Sequence, residues 1–202
     1  GYHGSSGSCS AVGDGYYSAA LTNARTPCGS GATTGGATTS DAVADCTCPT
    51  GYYGDASAGG ACTQCGGNSA TAASDSNARS ITDCLCDAGY HGSSGSCSAV
   101  GDGYYSAALT NARTACGSGA TTGGATTSDA VDDCTCPTGY HGTASAGGDC
   151  TQCGANSATA ASDSNSRTIT DCLCDAGYHG SSGSCSAVGD GYYSAALVNA
   201  RT

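Results

Sequence analysis

Cysteine constrains this chain more than any other residue type, since 17 of its 202 residues are Cys. That density is typical of a small cross-linked scaffold or of a metal-cluster protein. Large apolar residues are scarce, because the chain has no Met, Trp or Phe and only 13 Val, Leu and Ile together. With a net charge of −11 as well, the chain cannot fold by burying a conventional core. Enzyme scaffolds that need stacked apolar layers are excluded, which leaves disorder or a cross-linked fold.

The sequence repeats itself with a period of 88 residues. The segment GYHGSSGSCSAVGDGYYSAAL begins at Gly1, Gly89 and Gly177, and residues 1–88 and 89–176 differ at eight positions. Repetition at a fixed period is typical of tandem arrays whose units contact only their neighbours. Because the chain begins and ends inside the pattern, we expect it to be a window on a longer array.

A shorter phrase, C-x-C-x-x-G-Y-x-G, occurs four times, starting at Cys46, Cys84, Cys134 and Cys172. Its alternating spacings of 38 and 50 residues divide the chain into short and long modules with four cysteines each. The predicted organisation is 1–47 as the end of one module plus a partial long module, 48–85 as a short module, 86–135 as a long module, 136–173 as a short module, and 174–202 as a partial long module.

This phrase, followed by another Cys, resembles the C-terminal half of an EGF-like module. Cys62-Thr-Gln-Cys65, with Asn68-Ser69 and the closing Thr82-Asp83-Cys84-Leu-Cys86, resembles the ephrin-receptor-like cysteine-rich repeat. Tandem arrays of this kind occur in large protist surface proteins, including flagellar-hair (mastigoneme) proteins. The resemblance covers essentially the whole chain. It implies a small disulfide-rich fold: an elongated tandem array of EGF-like modules with short β-hairpins and loops, little helix and no large hydrophobic core. The acidic opening of calcium-binding EGF modules is missing.

Four cysteines per module allow three connectivities, and the sequence alone leaves them open. The resemblance implies that the second Cys of each C-x-C pairs with the next Cys, and that the remaining cysteines pair with one another. Cys9 is left over, and its partner is expected just before Gly1, in a preceding repeat. Disulfides imply an oxidising, extracellular or cell-surface location, such as a flagellar surface. The implied pairs are Cys48–Cys62, Cys86–Cys97, Cys136–Cys150, Cys174–Cys185, Cys28–Cys46, Cys65–Cys84, Cys116–Cys134 and Cys153–Cys172.

Metal binding is the alternative use of these residues. Cys62-x2-Cys65-x18-Cys84-x-Cys86 comes close to a four-thiolate zinc spacing. The C-x-C pair strains a tetrahedral site and the long module has no C-x2-C, so we favour disulfides and expect no metal. Asp75-Ser76-Asn77 and Asp163-Ser164-Asn165 offer oxygen ligands that suit calcium, although the same residue types make turns. Calcium stays an open alternative, and no other cofactor is expected.

Gly, Ser, Thr, Asp and Asn between the cysteines predict turns and few regular elements. We expect short strands at Tyr16-Tyr17, Tyr52-Tyr53 and Thr82–Leu85, and one helical turn over Ser18–Ala24. The tyrosines of the G-Y-x-G phrase are expected to pack over a disulfide or a neighbouring module, whereas pairs such as Tyr16-Tyr17 are candidate contacts between protofilaments. The first group comprises Tyr2, Tyr52, Tyr90, Tyr140 and Tyr178.

No enzymatic constellation emerges from the sequence. A Cys–His nucleophile needs a free thiol, which disulfides would consume, so we expect His3, His91, His141 and His179 to be structural or solvated. With five Arg and no Lys, the chain should repel nucleic acid and acidic membrane surfaces, and no segment is typical of membrane insertion.

Threonine clusters in a Gly/Ala context are candidate O-glycan sites, and flexible polar loops are the other interpretation. Near-identical units can make identical contacts with neighbouring chains, as helical or tubular assembly requires. We therefore predict a structural protein that self-associates into a homopolymer as an extracellular filament, hair or surface coat. The alternative is an adhesive or receptor-like ectodomain in which the repeats act as a spacer. The candidate glycan sites are Thr33, Thr34, Thr38, Thr39, Thr121, Thr122, Thr126 and Thr127.

Overall fold

The computed structural model describes residues 1–5, 7–73, 78–160 and 168–200. Over these ranges the chain forms short strands, single turns of 3-10 helix and loops, without an α-helix, so the predicted small disulfide-rich class is confirmed. The described strands pair two by two into nine two-stranded sheets. The strands are β1 Tyr2–Ser5, β2 Ser8–Ala11, β3 Tyr16–Tyr17, β4 Thr26–Pro27, β5 Tyr52–Tyr53, β6 Thr63–Gln64, β7 Ser69–Ala70, β8 Leu85–Cys86, β9 Tyr90–Ser93, β10 Ser96–Ala99, β11 Tyr104–Tyr105, β12 Thr114–Ala115, β13 Tyr140–Gly142, β14 Cys150–Gln152, β15 Ser157–Ala158, β16 Leu173–Cys174, β17 Tyr178–Ser181 and β18 Ser184–Ala187.

Glycine sets the geometry of the longer hairpins. In β17–β18, Ser181 pairs with Ser184, so the connection is only two residues long, and Gly183 takes a φ of +77° there. Two-residue hairpin loops favour glycine because they need a positive φ. Gly180, which ends the phrase G-Y-x-G, has a second reason to be glycine: a Cβ there would lie 2.2 Å from the carbonyl oxygen of Ser184 on the paired strand. The repeated phrase thus encodes a hairpin whose strands meet backbone to backbone.

Six single turns of 3-10 helix lie in the described residues, and four of them end directly before the first Cys of a C-x-C pair. Each of these four turns ends in Asp, whose carboxylate accepts a hydrogen bond from a backbone N–H at the start of the turn. The turns are Val43–Asp45, Ala56–Ala58, Ile81–Asp83, Val131–Asp133, Ala144–Ala146 and Ile169–Asp171.

Two local predictions are wrong and two are confirmed. The strands at Tyr16-Tyr17 and Tyr52-Tyr53 form as expected. Thr82–Leu85 is not a strand, because Ile81–Asp83 forms a 3-10 turn and the strand begins only at Leu85. Ser18–Ala24 is not a helical turn either, since Leu21 takes a φ of +64°, which no right-handed helix accommodates.

The chain divides into two compact units, Gly1–Ser98 with Ala108–Ala112, and Ala99–Ala107 with Arg113–Thr202. The predicted module boundaries follow the sequence phrases and stay a prediction. Unit 1 contains a small cluster of Cys46, Cys48 and Ala56, and unit 2 contains the matching cluster of Cys134, Cys136, Ala144 and Cys150. Cystine sulfur therefore takes the place of a conventional apolar core in each unit.

Candidate functional site

The described residues contain eight disulfides, which join the same partners that the resemblance to EGF-like modules implies. The four cysteines of the alternative zinc site, Cys62, Cys65, Cys84 and Cys86, belong to three different bridges and are not available as thiolates. Cys9 is free and exposed. The bridges are Cys28–Cys46, Cys48–Cys62, Cys65–Cys84, Cys86–Cys97, Cys116–Cys134, Cys136–Cys150, Cys153–Cys172 and Cys174–Cys185.

Tyrosines cover the cystine clusters. Tyr17 and Tyr52 pack against the cluster of unit 1, and Tyr105 and Tyr140 pack against that of unit 2. An aromatic ring supplies more contact area than any other side chain in this composition. Tyr17 and Tyr105 thus pack within their own units, and contacts of such pairs between protofilaments stay a prediction.

Tyr16 and Tyr104, the first tyrosines of two Tyr-Tyr pairs, each stack under an arginine. The guanidinium carbon of Arg25 lies 4.1 Å from the ring centroid of Tyr16, and that of Arg113 lies 3.9 Å from the ring of Tyr104. Arg113 Nη1 also donates a hydrogen bond of 2.6 Å to the carbonyl oxygen of Val100, a fully buried residue. Arg25 donates to the carbonyl oxygen of Val12 in the same way, at 3.2 Å. Each arginine therefore connects a loop to the hairpin that precedes it.

Asp14 is the centre of a repeated turn. Its Oδ1 accepts four hydrogen bonds, from the Thr33 hydroxyl (2.5 Å), the Thr34 N–H (2.8 Å), the Thr34 hydroxyl (2.9 Å) and the Gly36 N–H (3.3 Å). Asp102 accepts the same four bonds at the same distances, from Thr121, Thr122 and Gly124. One carboxylate thus holds a whole loop in place in each copy.

These bonds favour the ionised carboxylate. The hydroxyl of Thr33, followed by the N–H and hydroxyl of Thr34, lowers the pKa of Asp14 far below the usual value of an aspartate. Thr121 and Thr122 lower the pKa of Asp102 in the same way. A shift produced by hydrogen bonding in an exposed turn indicates a structural role, since a general acid or base needs a pKa near the working pH.

A second type of aspartate precedes each C-x-C pair. Asp83 Oδ2 accepts hydrogen bonds from the N–H groups of Arg79 (2.7 Å) and Ser80 (2.9 Å), which lie at the start of the 3-10 turn. The Ser80 N–H, and then that of Arg79, lowers the pKa of Asp83. Asp45 and Asp133 accept equivalent backbone bonds in their own turns. This aspartate fixes the direction in which the chain enters the two bridges that follow.

Consecutive predicted modules approach each other through glycine backbones. A Cβ on the first glycine of each of four pairs would lie 1.9–2.1 Å from the carbonyl oxygen of the second. Within unit 1 the two members lie in adjacent predicted modules, and the same holds within unit 2. Glycine is needed because no side chain fits between the two backbones. The pairs are Gly29 with Gly60, Gly66 with Gly95, Gly117 with Gly148, and Gly154 with Gly183.

The eight candidate glycan threonines fall into two sets. The hydroxyls of Thr34 and Thr122 are buried and bonded to aspartate, and those of Thr33 and Thr121 donate to the same carboxylates. These four hydroxyls hold the turn. The other four residues, Thr38, Thr39, Thr126 and Thr127, are exposed.

The four histidines lie on hairpin strands. His3 is opposite Ser10, His141 opposite Thr151 and His179 opposite Ser186. In the part of the chain that the structure describes, no group of three or more His, Cys, Asp or Glu side chains is arranged to hold a metal ion. The candidate calcium ligands Asp75-Ser76-Asn77 and Asp163-Ser164-Asn165 lie outside the described residues. No helix among the described residues has the length and apolarity to cross a bilayer.

The turn-capping aspartates could have been recognised from the sequence. Asp directly precedes all four C-x-C pairs, at Asp45, Asp83, Asp133 and Asp171, and this invariance marks the turn-capping role.

Comparison of the sequence with protein-family models, with curated proteins and with solved structures finds no match.

Proposed function

We propose that this chain is a structural subunit of an extracellular filament, hair or surface coat, and that it self-associates into a homopolymer. The proposal rests on hydrogen bonding that repeats from one copy to the next. Asp14 and Asp102 each fix a threonine turn through four hydrogen bonds, and each bond has the same length in both copies. Rigid, equivalent surfaces at a fixed sequence interval favour the repeated contacts of a polymer. The resemblance to EGF-like and mastigoneme repeats points the same way.

The disulfides support the extracellular part of the proposal. Eight bridges in the described residues indicate maturation in an oxidising compartment. A cross-linked array also resists unfolding outside the cell, where no chaperone repairs it. Glycans on the four exposed threonines, Thr38, Thr39, Thr126 and Thr127, would add further solubility and protection. These threonines follow shortly after the turns that Asp14 and Asp102 hold through Thr34 and Thr122.

The net negative charge of the chain should make self-association depend on ionic strength. Every chain carries a net charge of −11, so neighbouring chains repel one another at low ionic strength. Salt screens that repulsion, since the Debye length falls from about 30 Å at 0.01 M to about 8 Å at 0.15 M ionic strength. We therefore expect the polymer to form at physiological or higher salt and to dissociate in dilute buffer.

The experiment is to examine the oxidised chain by sedimentation velocity and negative-stain electron microscopy across a series of salt concentrations. The proposal expects large assemblies with an axial repeat that grow with salt and protein concentration. Monodisperse particles under every condition would contradict it. They would favour the alternative, an adhesive or receptor-like ectodomain in which the repeats act as a spacer.

A further inference from the structure

Asp14 and Asp102, the aspartates that hold the threonine turns, are each followed directly by a glycine. An Asp-Gly sequence is chemically reactive, because no side chain on the glycine hinders attack of its amide nitrogen on the aspartate carboxyl carbon. The new nitrogen–carbon bond closes a succinimide ring, and the carboxyl group loses one oxygen as water. Water then opens the ring at either carbonyl. Opening at the backbone carbonyl leaves the main chain running through the side-chain carboxyl group, as isoaspartate, and regains the water that was lost.

The backbone of the Asp-Gly sequence opposes ring closure. The Tyr104 N–H donates to the carbonyl oxygen of Gly101 at 3.3 Å, and φ is negative at Asp102 but +77° at Gly103. This combination defines a type II turn, in which ψ of the second residue is about +120°. The Gly103 nitrogen is therefore rotated away from the Asp102 side chain, whereas ring closure needs both on the same side. The first copy has the same turn at Gly13, Asp14, Gly15 and Tyr16, with a bond of 3.4 Å and a φ of +77° at Gly15.

The threonine turn also engages the nitrogen that would attack. The Gly103 N–H donates to the Thr122 hydroxyl at 3.2 Å, and the Gly15 N–H donates to the Thr34 hydroxyl at the same distance. Both threonine side chains are 7% exposed, so water has little access to the oxygen that accepts the bond. Attack on the carboxyl carbon would require this bond to break.

The carboxyl group is held in its unreactive form. Oδ1 of Asp102 accepts from the Thr121 hydroxyl, from the N–H and hydroxyl of Thr122 and from the Gly124 N–H. These bonds favour the ionised carboxylate, and they lower the pKa of Asp102. An ionised carboxylate loses its oxygen far less readily than the protonated acid, which releases it as water. Conformation, nucleophile and carboxyl group are thus all set against the reaction while the turn is closed.

We propose that Asp14 and Asp102 are sites of isoaspartate formation that the threonine turn keeps inactive, so that they react only in chains whose turn has opened. Opening frees the Gly103 nitrogen and the Asp102 carboxyl group to rotate towards each other. The change then persists, because isoaspartate adds one carbon to the main chain and the original turn cannot re-form. The inference does not rest on the filament, since it applies equally to a single chain.

The experiment compares the oxidised full chain with the reduced and alkylated chain at one temperature and pH, after circular dichroism has verified that only the second is unfolded. Trypsin cleaves after Arg25, Arg79 and Arg113, which places Asp14 and Asp102 on separate peptides. Electron-transfer fragmentation distinguishes isoaspartate from aspartate in each peptide. We expect isoaspartate to accumulate at least about tenfold more slowly at both sites in the folded chain, because reaction there requires local opening. Equal rates in the two samples would overturn the proposal.

The variant Thr122→Val tests the turn itself. It removes the hydroxyl but keeps the shape of the side chain and the bond from the N–H of residue 122 to Asp102. We expect isoaspartate at Asp102 to accumulate several-fold faster than in the parent, and Thr122→Ser to restore the parent rate. Asp14 in the same molecule is the matched control, because its own turn is intact.

If Thr122→Val fails to fold, Thr121→Ala carries the same expectation, since it removes a less buried hydroxyl from the same carboxylate. An unchanged rate at Asp102 in the folded variant would overturn the proposal. An equal increase at Asp14 and Asp102 would also overturn it, because general instability, and not the local turn, would then control the reaction.

Discussion

Gly66 faces the carbonyl oxygen of Gly95 so closely that a Cβ on Gly66 would lie 2.0 Å from it. The two residues belong to adjacent predicted modules, and Gly154 stands in the same relation to Gly183 in unit 2. A chain with few large side chains therefore joins its modules by direct backbone contact. Small residues here are a geometric requirement and not merely a sign of low complexity.

The first prediction is that Gly66→Ala destabilises the protein. The added methyl group forces two backbones apart, which costs about 1–3 kcal/mol and lowers the denaturation midpoint. Guanidinium unfolding followed by tyrosine fluorescence measures this change. Gly67→Ala is the matched control, because a Cβ there meets nothing within 4 Å and the second copy has Ala155 at this position. Equal effects of the two substitutions would contradict the close approach.

The second prediction concerns Asp102 and pH. Its pKa is lowered in the folded chain, so its contribution to stability is present above the unfolded pKa of about 3.9 and is lost as pH falls through the folded value. Asp102→Asn keeps an oxygen acceptor but removes the charge that strengthens the four bonds. We expect the variant to be less stable than the parent at neutral pH, and the difference to shrink as the pH falls below about 4.

Chemical denaturation at a series of pH values measures this difference. Asp55→Thr is the control, since Thr143 occupies that place in the second copy and the Asp55 side chain makes two exposed contacts, an ion pair with Arg79 at 3.6 Å and a hydrogen bond from the Ser57 hydroxyl at 3.1 Å. An Asp102→Asn deficit that persists unchanged in strong acid would mean that the carboxylate charge is irrelevant to the turn.

The third prediction is that Arg113→Lys weakens unit 2. Lysine keeps the charge but loses the planar group that lies over Tyr104 and donates to the carbonyl oxygen of Val100. We expect a loss of about 1 kcal/mol and a change in the near-ultraviolet circular dichroism of tyrosine. Arg79→Lys is the control, because an exposed ion pair contributes about 0–1 kcal/mol. If both substitutions cost the same, the stacking has no energetic role.

The sequence predicted the covalent framework better than the local conformation. Cysteine spacing, read with the resemblance to EGF-like modules, implied the same eight pairs that the structure has. The strand at Tyr52-Tyr53 follows from two β-favouring residues beside a turn. The helical turn over Ser18–Ala24 was wrong because helix propensity favoured Ala and Leu, whereas the Ser18 and Thr22 hydroxyls donate to the carbonyl oxygens of Ala24 and Ala19 in a turn in which Leu21 has a positive φ.

Asp14 was missed for a different reason. Its partners Thr33 and Thr34 lie 19 and 20 residues away in the sequence. No local sequence pattern predicts that a carboxylate accepts hydrogen bonds across a loop of that length. Asp83 could have been anticipated, because an acidic residue three positions after Ser80 is the pattern of a capping box. Long-range polar contacts are thus the part of this fold that cannot be predicted from a single sequence.

The fourth prediction concerns the disulfides, which take the place of an apolar core. Most of the fully buried apolar residues are half-cystines, among them Cys46, Cys84, Cys134 and Cys172. Replacing both Cys65 and Cys84 by Ala removes a bridge that spans 19 residues, and should cost about 2–5 kcal/mol. Cys9→Ser is the control, and we expect it to change the free energy of unfolding by less than about 0.5 kcal/mol, because Cys9 is exposed and unpaired.

Reduction of all eight bridges extends the same prediction to the whole chain. With only 13 Val, Leu and Ile residues left to bury, the reduced chain has too little apolar surface to offset its conformational entropy. Its far-ultraviolet circular dichroism should become that of an unfolded chain without denaturant, and its hydrodynamic radius should increase. A reduced chain that kept its compactness would show that hydrogen-bonded turns such as those at Asp14 and Asp102, and not the disulfides, are sufficient to hold the fold.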